Sequence, residues 1–206
     1  MEKAVTQLVK DLKCDDQHIR FSACRIFSEL KLKWPKIIEA LKEATQDKIW
    51  FVRLAAVQSL WELDLPPVKL KDILLRMLKD DSEDIREYAA CIIGEFGSNG
   101  EPLCPDLIQS LGDESGYVRE AIAMALGKIG SGSIPVILSL AKCLKDEEFG
   151  VRAISIKALE NFLSTPGRDK VIDILKKVPE DSNQHPEIKE LAKYIIVNAE
   201  ISKTYK

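Results

Sequence analysis

Arginine is the residue whose spacing stands out. Arg20, Arg53, Arg86, Arg119 and Arg152 recur every 33 residues. Each follows a β-branched apolar residue: Ile19, Val52, Ile85, Val118 or Val151. Four have an aspartate six positions upstream: Asp47, Asp80, Asp113 and Asp146. A guanidinium is a planar fork of donors that meets a carboxylate or a phosphate with two hydrogen bonds. A row of such forks could grip phosphate or an acidic peptide. Alternatively, each fork could bridge an aspartate and the open carbonyls of a neighbouring turn. The second use fits better, because each arginine adjoins a core residue and recurs in every unit. Joining units is a problem every unit must solve, whereas a ligand need not touch all of them.

The other chemistry-bearing residues are sparse. Five cysteines (Cys14, Cys24, Cys91, Cys104, Cys143) include no Cys-x-x-Cys pair, and only His18 and His185 could join them. A zinc cage is therefore not expected, and the cysteines read as small apolar residues in a reducing compartment. His185, followed by Pro186 and Glu187, reads as a loop histidine. No His-Glu dipeptide is present, which removes a di-iron hydroxylase. The phosphate-binding loop, the nucleophile elbow and the His-Glu-x-x-His helix are absent as well. No metal and no cofactor is expected.

A fixed period of this length predicts a stack of one supersecondary unit. Residues 73–97 read as a helix, a short acidic turn and a second helix, and DLIQSLGDESGYVREAIAMALGKIG repeats the plan. First helices carry Leu74, Leu75 and Leu78, then Leu107, Ile108 and Leu111, then Ile137, Leu140, Ala141 and Leu144. Second helices carry an apolar stripe: Val52, Ala56, Leu60 and Leu63, or Val118, Ile122, Leu126 and Ile129. Steps of four, four and three residues make one helical face. Pro35, Pro67, Pro102 and Pro135 mark starts of first helices. Glycines such as Gly130 close second helices. Ser82, Ser115 and Asp146 are candidate N-caps. The first and last units are degenerate: Cys14 replaces the turn aspartate, and Lys189 replaces the arginine after the long turn PEDSNQHPE. Ile188, Ala192, Ile196 and Ala199 continue the stripe in a last helix from Pro186 to near Ser202, before a polar tail, KTYK. Twelve helices and no β-structure are expected, in a single domain spanning 1–206 with repeats at about 2–32, 33–65, 66–98, 99–131, 132–165 and 166–203.

Composition excludes several classes. Thirty basic and 33 acidic residues give a net charge of −3, so nothing pulls the whole chain to nucleic acid or anionic lipid. The amino terminus, MEKAVTQLVKDLK, alternates charged and apolar residues and is no signal peptide. No apolar run approaches about 18 residues, so no membrane span is expected and a cytoplasmic location is the default.

The string V/I-R-x-x-A followed by A-L-G-K-I-G, with an upstream L-x-D turn, resembles the HEAT repeat. It is carried by Val118, Arg119, Ala125, Leu126, Gly127, Lys128, Ile129 and Gly130. Ile85, Arg86, Ala89, Gly94 and Gly97 carry it one unit earlier, and Val52, Arg53, Ala55, Ala56 and Leu60 before that. More narrowly, the units look like the short HEAT-like subtype named after phycobilisome lyases. The resemblance implies an all-α, right-handed α-solenoid of about six helix pairs, with second helices lining a concave binding face.

Positions that miss the core stripe then point to that face. Phe21 and Arg25 fall there in the first unit, and Phe51, Leu54, Gln58 and Trp61 in the second, with Trp50 nearby. Glu87, Tyr117, Glu120 and Met124 follow, as do Ser28, Gly94 and Gly127. Exposed aromatic residues in a row suggest an interaction surface. Asp84, Glu87, Glu95 and Glu120 give its middle an acidic cast suited to a basic peptide. The expected function is a non-catalytic scaffold or adaptor that binds an unidentified protein or peptide. The alternative is an enzyme or enzyme subunit on the same scaffold. One form is a bilin lyase-like subunit, for which no cysteine or histidine arrangement speaks. The other is a DNA glycosylase using Trp61, Asp84 and Arg25, for which a basic groove is missing.

Overall fold

The apolar stripes become helices throughout. The computed structural model describes residues 2–204 and shows twelve α-helices and no strand among them. They are α1 (Glu2–Asp11), α2 (Gln17–Leu30), α3 (Pro35–Ala44), α4 (Trp50–Glu62), α5 (Pro67–Met77) and α6 (Glu83–Glu95). Then come α7 (Cys104–Ser110), α8 (Gly116–Ile129), α9 (Ile134–Cys143), α10 (Phe149–Asn161), α11 (Arg168–Lys177) and α12 (Pro186–Thr204). Of the expected tail, Lys203 and Thr204 belong to α12, while Tyr205 and Lys206 lie outside the described residues. The chain forms two compact units, Met1–Arg86 and Glu87–Lys206, divided within α6.

Local chemistry explains the helix starts. Pro35 and Pro67 open α3 and α5, where a missing N–H costs nothing. Pro102 sits instead in a 3₁₀ helix, Gly97–Leu103, and α7 begins one residue before Pro105. Gly130 ends α8 with φ +72°, a left-handed conformation that a side chain would strain. Capping differs from the expectation. Ser115 makes no side-chain cap on α8; its backbone N–H donates to Asp113 Oδ1 at 2.9 Å. The same two-residue bond recurs from Ile49 to Asp47, Ser82 to Asp80, Glu148 to Asp146 and Asn183 to Asp181. These Asx turns shape the helix entries while leaving the second carboxylate oxygen free for other work.

In the first unit α2 and α3 pack on α4, with Phe27, Ile37, Leu41, Leu60 and Leu63 fully buried. In the second unit α8 packs on α10, flanked by α7, α9, α11 and α12. The stripe of α12 runs Ile188, Ala192, Ile195 and Ala199; Ile195 is buried where Ile196 was expected, because the helix steps four, three, four. Ser28, Gly94 and Gly127 are also buried rather than groove-lining. For the two glycines the reason is close approach between successive second helices. A Cβ on Gly94 would meet the Ala125 Cα at 2.9 Å, and one on Gly127 would meet the Ala158 Cα at 3.0 Å. Small residues there let backbones nearly touch. In the first unit Ser59 does related work, its hydroxyl donating to the carbonyls of Cys24 (2.8 Å) and Ala55 (2.7 Å).

The arginines lie where these helices meet their turns. Arg20 donates from Nε and Nη2 to Asp47 at 2.7 and 2.9 Å, and from Nη1 to the Cys14 and Asp15 carbonyls. Arg53 meets Asp80 at 2.8 and 2.6 Å and the Asp47 carbonyl at 2.9 Å. Arg119 meets Asp146 twice at 2.8 Å and the carbonyls of Asp113 and Glu114. Arg86 donates to the carbonyls of Asp80 and Asp81. Burial would raise the carboxyl pKa of Asp47, Asp80 and Asp146. Hydrogen bonds from the arginines and from the turn N–H groups outweigh it and hold all three below the ordinary value.

Replacing Arg119 with alanine strands one buried carboxylate and two carbonyls, and is expected to cost about 2–4 kcal/mol in urea unfolding. Carboxylates with depressed folded pKa values add stability above their unfolded value of about 3.9 and lose it as pH falls through the folded value. Stability of the parent should therefore drop as pH goes below about 4, and Arg119→Ala should lose less over that span. Gly127→Ala would gain about 1 kcal/mol on helix propensity alone. Against the Ala158 backbone the same change is expected to destabilise by about 1–3 kcal/mol. A raised melting temperature would show that α8 and α10 can part without cost.

Candidate functional site

The exposed faces of the second helices hold the residues singled out above. On α2, Phe21 is half-buried and Arg25 exposed; on α4, Phe51, Leu54, Gln58 and Trp61 are all half-buried. Steps of three, four and three keep those four on one side of α4. The rings form a connected group within the first unit. Phe51 lies 5.8 Å from Phe21, edge to face, 5.9 Å from Trp50, edge to face, and 6.0 Å from His18, stacked. Trp50 remains 45% exposed, and Ile19 and Ile26 on α2 are 47% and 37% exposed. Phe51 is thus the hub, with His18 and Trp50 as its open rim. Nothing in the sequence signalled that His18 stacks on Phe51.

The first unit also contains Trp61, Asp84 and Arg25, which stand on three different helices, α4, α6 and α2. In the second unit Glu87, Glu120 and Met124 are half-buried, while Tyr117 is 71% exposed. The acidic cast weakens there. Lys128 pairs with Glu95, and the Glu120 carboxylate lies over Gly150 in the first turn of α10, where a helix N-terminus favours negative charge.

The thiols offer little nucleophilic chemistry. Burial pushes Cys24 up to about 12 and also raises Cys91, Cys104 and Cys143, so thiolate is scarce at neutral pH. Ser155 is fully buried, and its hydroxyl acts on the weakly polar Cys143 thiol. No group of three or more His, Cys, Asp or Glu side chains among the described residues is placed to hold a metal ion. No described helix is long and apolar enough to cross a membrane.

At the far end of the second unit the arginine pattern changes. Arg152 donates from Nη1 to the carbonyls of Asp146 (2.6 Å) and Glu147 (2.8 Å). No carboxylate among the described residues lies within ion-pair distance of it. Its guanidinium rests 5.7 Å above the Phe149 ring, which meets His185 edge to face at 4.9 Å. A pocket of about 430 Å³ opens beside it, lined by Leu144, Lys145, Asp146, Asp181, Asn183, Gln184 and His185.

Comparison with known proteins agrees with this architecture. No curated protein sequence matches the chain. Among solved structures, a designed armadillo repeat protein in complex with the peptide (KR)4 superposes with a TM-score of 0.64 at 22% identity, over 95% of this chain and 98% of that one. An archaeal HEAT-like repeat protein from Thermococcus onnurineus NA1 gives 0.63 at 15% identity, over 97% and 88%. The complex of CpcE and CpcF of phycocyanin lyase from Nostoc sp. PCC7120 gives 0.61 at 19% identity, over 91% and 74%. At these identities the likeness is one of fold. A family profile for HEAT repeats matches residues 5–93, 70–160 and 104–193, nearly the whole chain. With twelve helices in successive pairs and that match along its length, the chain belongs to the HEAT-repeat family and is an all-α protein of the α-solenoid class.

Proposed function

We propose that this protein is a non-catalytic scaffold that binds a protein or peptide segment through its second helices. The principal contact surface is the α2–α4 face of the first unit. The observation that carries this is the ring cluster of His18, Phe21, Trp50 and Phe51, continued along α4 by Leu54, Gln58 and Trp61 and flanked by exposed Arg25. Rigid aromatic rings with adjacent arginine are the residue types that dominate binding hot spots. Contiguous exposed apolar surface of this kind is uncommon unless something covers it. The similar designed armadillo protein holds a peptide, which supports a peptide-sized partner here. In the second unit Glu87, Tyr117, Glu120 and Met124 would offer a separate, more polar contact surface. Mechanistically, partner side chains would insert between half-buried rings that already pack on one another, which limits the conformational freedom lost on binding.

Selection of a random twelve-residue display library against the full chain tests this. Enriched peptides should bind the parent and lose at least tenfold in affinity to Phe51→Ala/Trp61→Ala and to the surface variant Trp50→Ala/Arg25→Glu. Helical circular dichroism should be unchanged in the second variant. Peptides that bind all three proteins equally, or a library that yields no enrichment, would overturn the reading.

A further inference from the structure

Three helix-turn junctions show what the Nε–Nη2 edge of the repeating arginine is built to hold. Arg20, Arg53 and Arg119 each use it to take both oxygens of an aspartate 27 residues downstream. Twenty-seven residues after Arg152 stands Pro179, which has no side-chain acceptor. Counting from the helix end gives a related result. Asp47, Asp80, Asp113 and Asp146 each lie two residues past the C-cap of a first helix; in the last pair that place is Glu180, and Asp181 comes one residue later. Asp181 still makes the Asx turn, accepting from Asn183 N–H at 3.0 Å, yet forms no ion pair with Arg152. The long turn is pinned away from the arginine by Gln184. That side chain is 92% buried, donates to the Leu144 carbonyl at 2.6 Å, and accepts from the His185 N–H at 3.0 Å.

We propose that the pocket around Arg152 is a carboxylate-binding site, in which a peptide carboxylate takes the place of the absent aspartate. Arg152 is already oriented for this. Its Nη1 is held by two carbonyls and its plane by Phe149, so the donor edge that remains is the one that binds aspartate elsewhere in the chain. Lys145 adds a second cation to the lining. Asp146, an acid of the same lining, is already taken by Arg119. Asp181 is the second acid of the lining and makes no ion pair with Arg152. A planar two-oxygen anion matches the fork, which favours carboxylate over a single-oxygen contact. The carboxylate can come from an acidic side chain or from a chain terminus. The site lies wholly within the second unit and does not depend on the α2–α4 face.

Nitrogen-15 spectra of the full chain, read at the Arg152 Nε–Hε group and at the amides of Asn183 and His185, test the assignment. Three peptides serve as probes: Ac-Gly-Gly-Asp-Gly-Gly-NH2, Ac-Gly-Gly-Gly-Gly with a free carboxyl end, and Ac-Gly-Gly-Asn-Gly-Gly-NH2. At least one carboxylate peptide should give a saturable downfield shift at Nε–Hε, and the two tell side-chain from terminal recognition. The asparagine peptide should give none. Arg152→Lys keeps the charge and donors to the carbonyls but loses the fork, and should weaken the Asn183 and His185 shifts at least fivefold. Equal shifts with the asparagine peptide, no shift with either carboxylate, or undiminished binding by Arg152→Lys would overturn the proposal. So would inorganic phosphate binding more tightly than both carboxylate peptides.

Discussion

A single buried guanidinium joins three stretches of backbone at each complete junction in this protein. Arg119 grips Asp146 with one edge and closes the carbonyls of Asp113 and Glu114 with the other, while Asp146 uses its remaining lone pairs to start α10. The arginine therefore fixes the end of one helix pair to the entry of the next. A buried ion pair is weak evidence for net stability, since two charges must be taken out of water. What it supplies here is register. Apolar helix flanks slide against each other at low cost, but a bidentate fork accepts its carboxylate in one orientation only.

Close helix approach is the companion constraint. Where Gly94 and Gly127 meet Ala125 and Ala158, second helices touch almost backbone to backbone. Every such contact removes a side chain from the surface that remains. The residues left at half exposure, Phe51, Leu54, Gln58 and Trp61 in one unit and Glu120 and Met124 in the other, are those the packing does not consume. The surface offered to a partner is thus a by-product of how tightly the helices dock, and its chemistry varies because nothing in the docking specifies it.

The end of the array shows the same economy from the other side. A junction motif has a use only when a further turn delivers an aspartate. At Arg152 the turn is longer, held by Gln184, and the fork faces a pocket instead. A donor set shaped by assembly is left open to solvent and to any carboxylate of suitable reach.

Much of this architecture was written in local spacing. The helices, their pairing and their core faces follow from a 33-residue period and a 3.6-residue turn, so Val52 to Leu63 and Val118 to Ile129 could be assigned to the core from the letters alone. The chain likewise announced that arginine and aspartate belong together, since both recur in register. Distances between helices were another matter. Nothing local says that Ser28, Gly94 and Gly127 turn inward, that His18 stacks on Phe51, or that Lys128 neutralises Glu95. Nor does composition reveal that Pro179 leaves a fork unfilled. Periodicity is a property of one helix at a time, and it specifies which side faces a neighbour. How near the neighbour comes, and which polar groups it covers or leaves bare, is settled only when side chains from distant positions compete for the same volume.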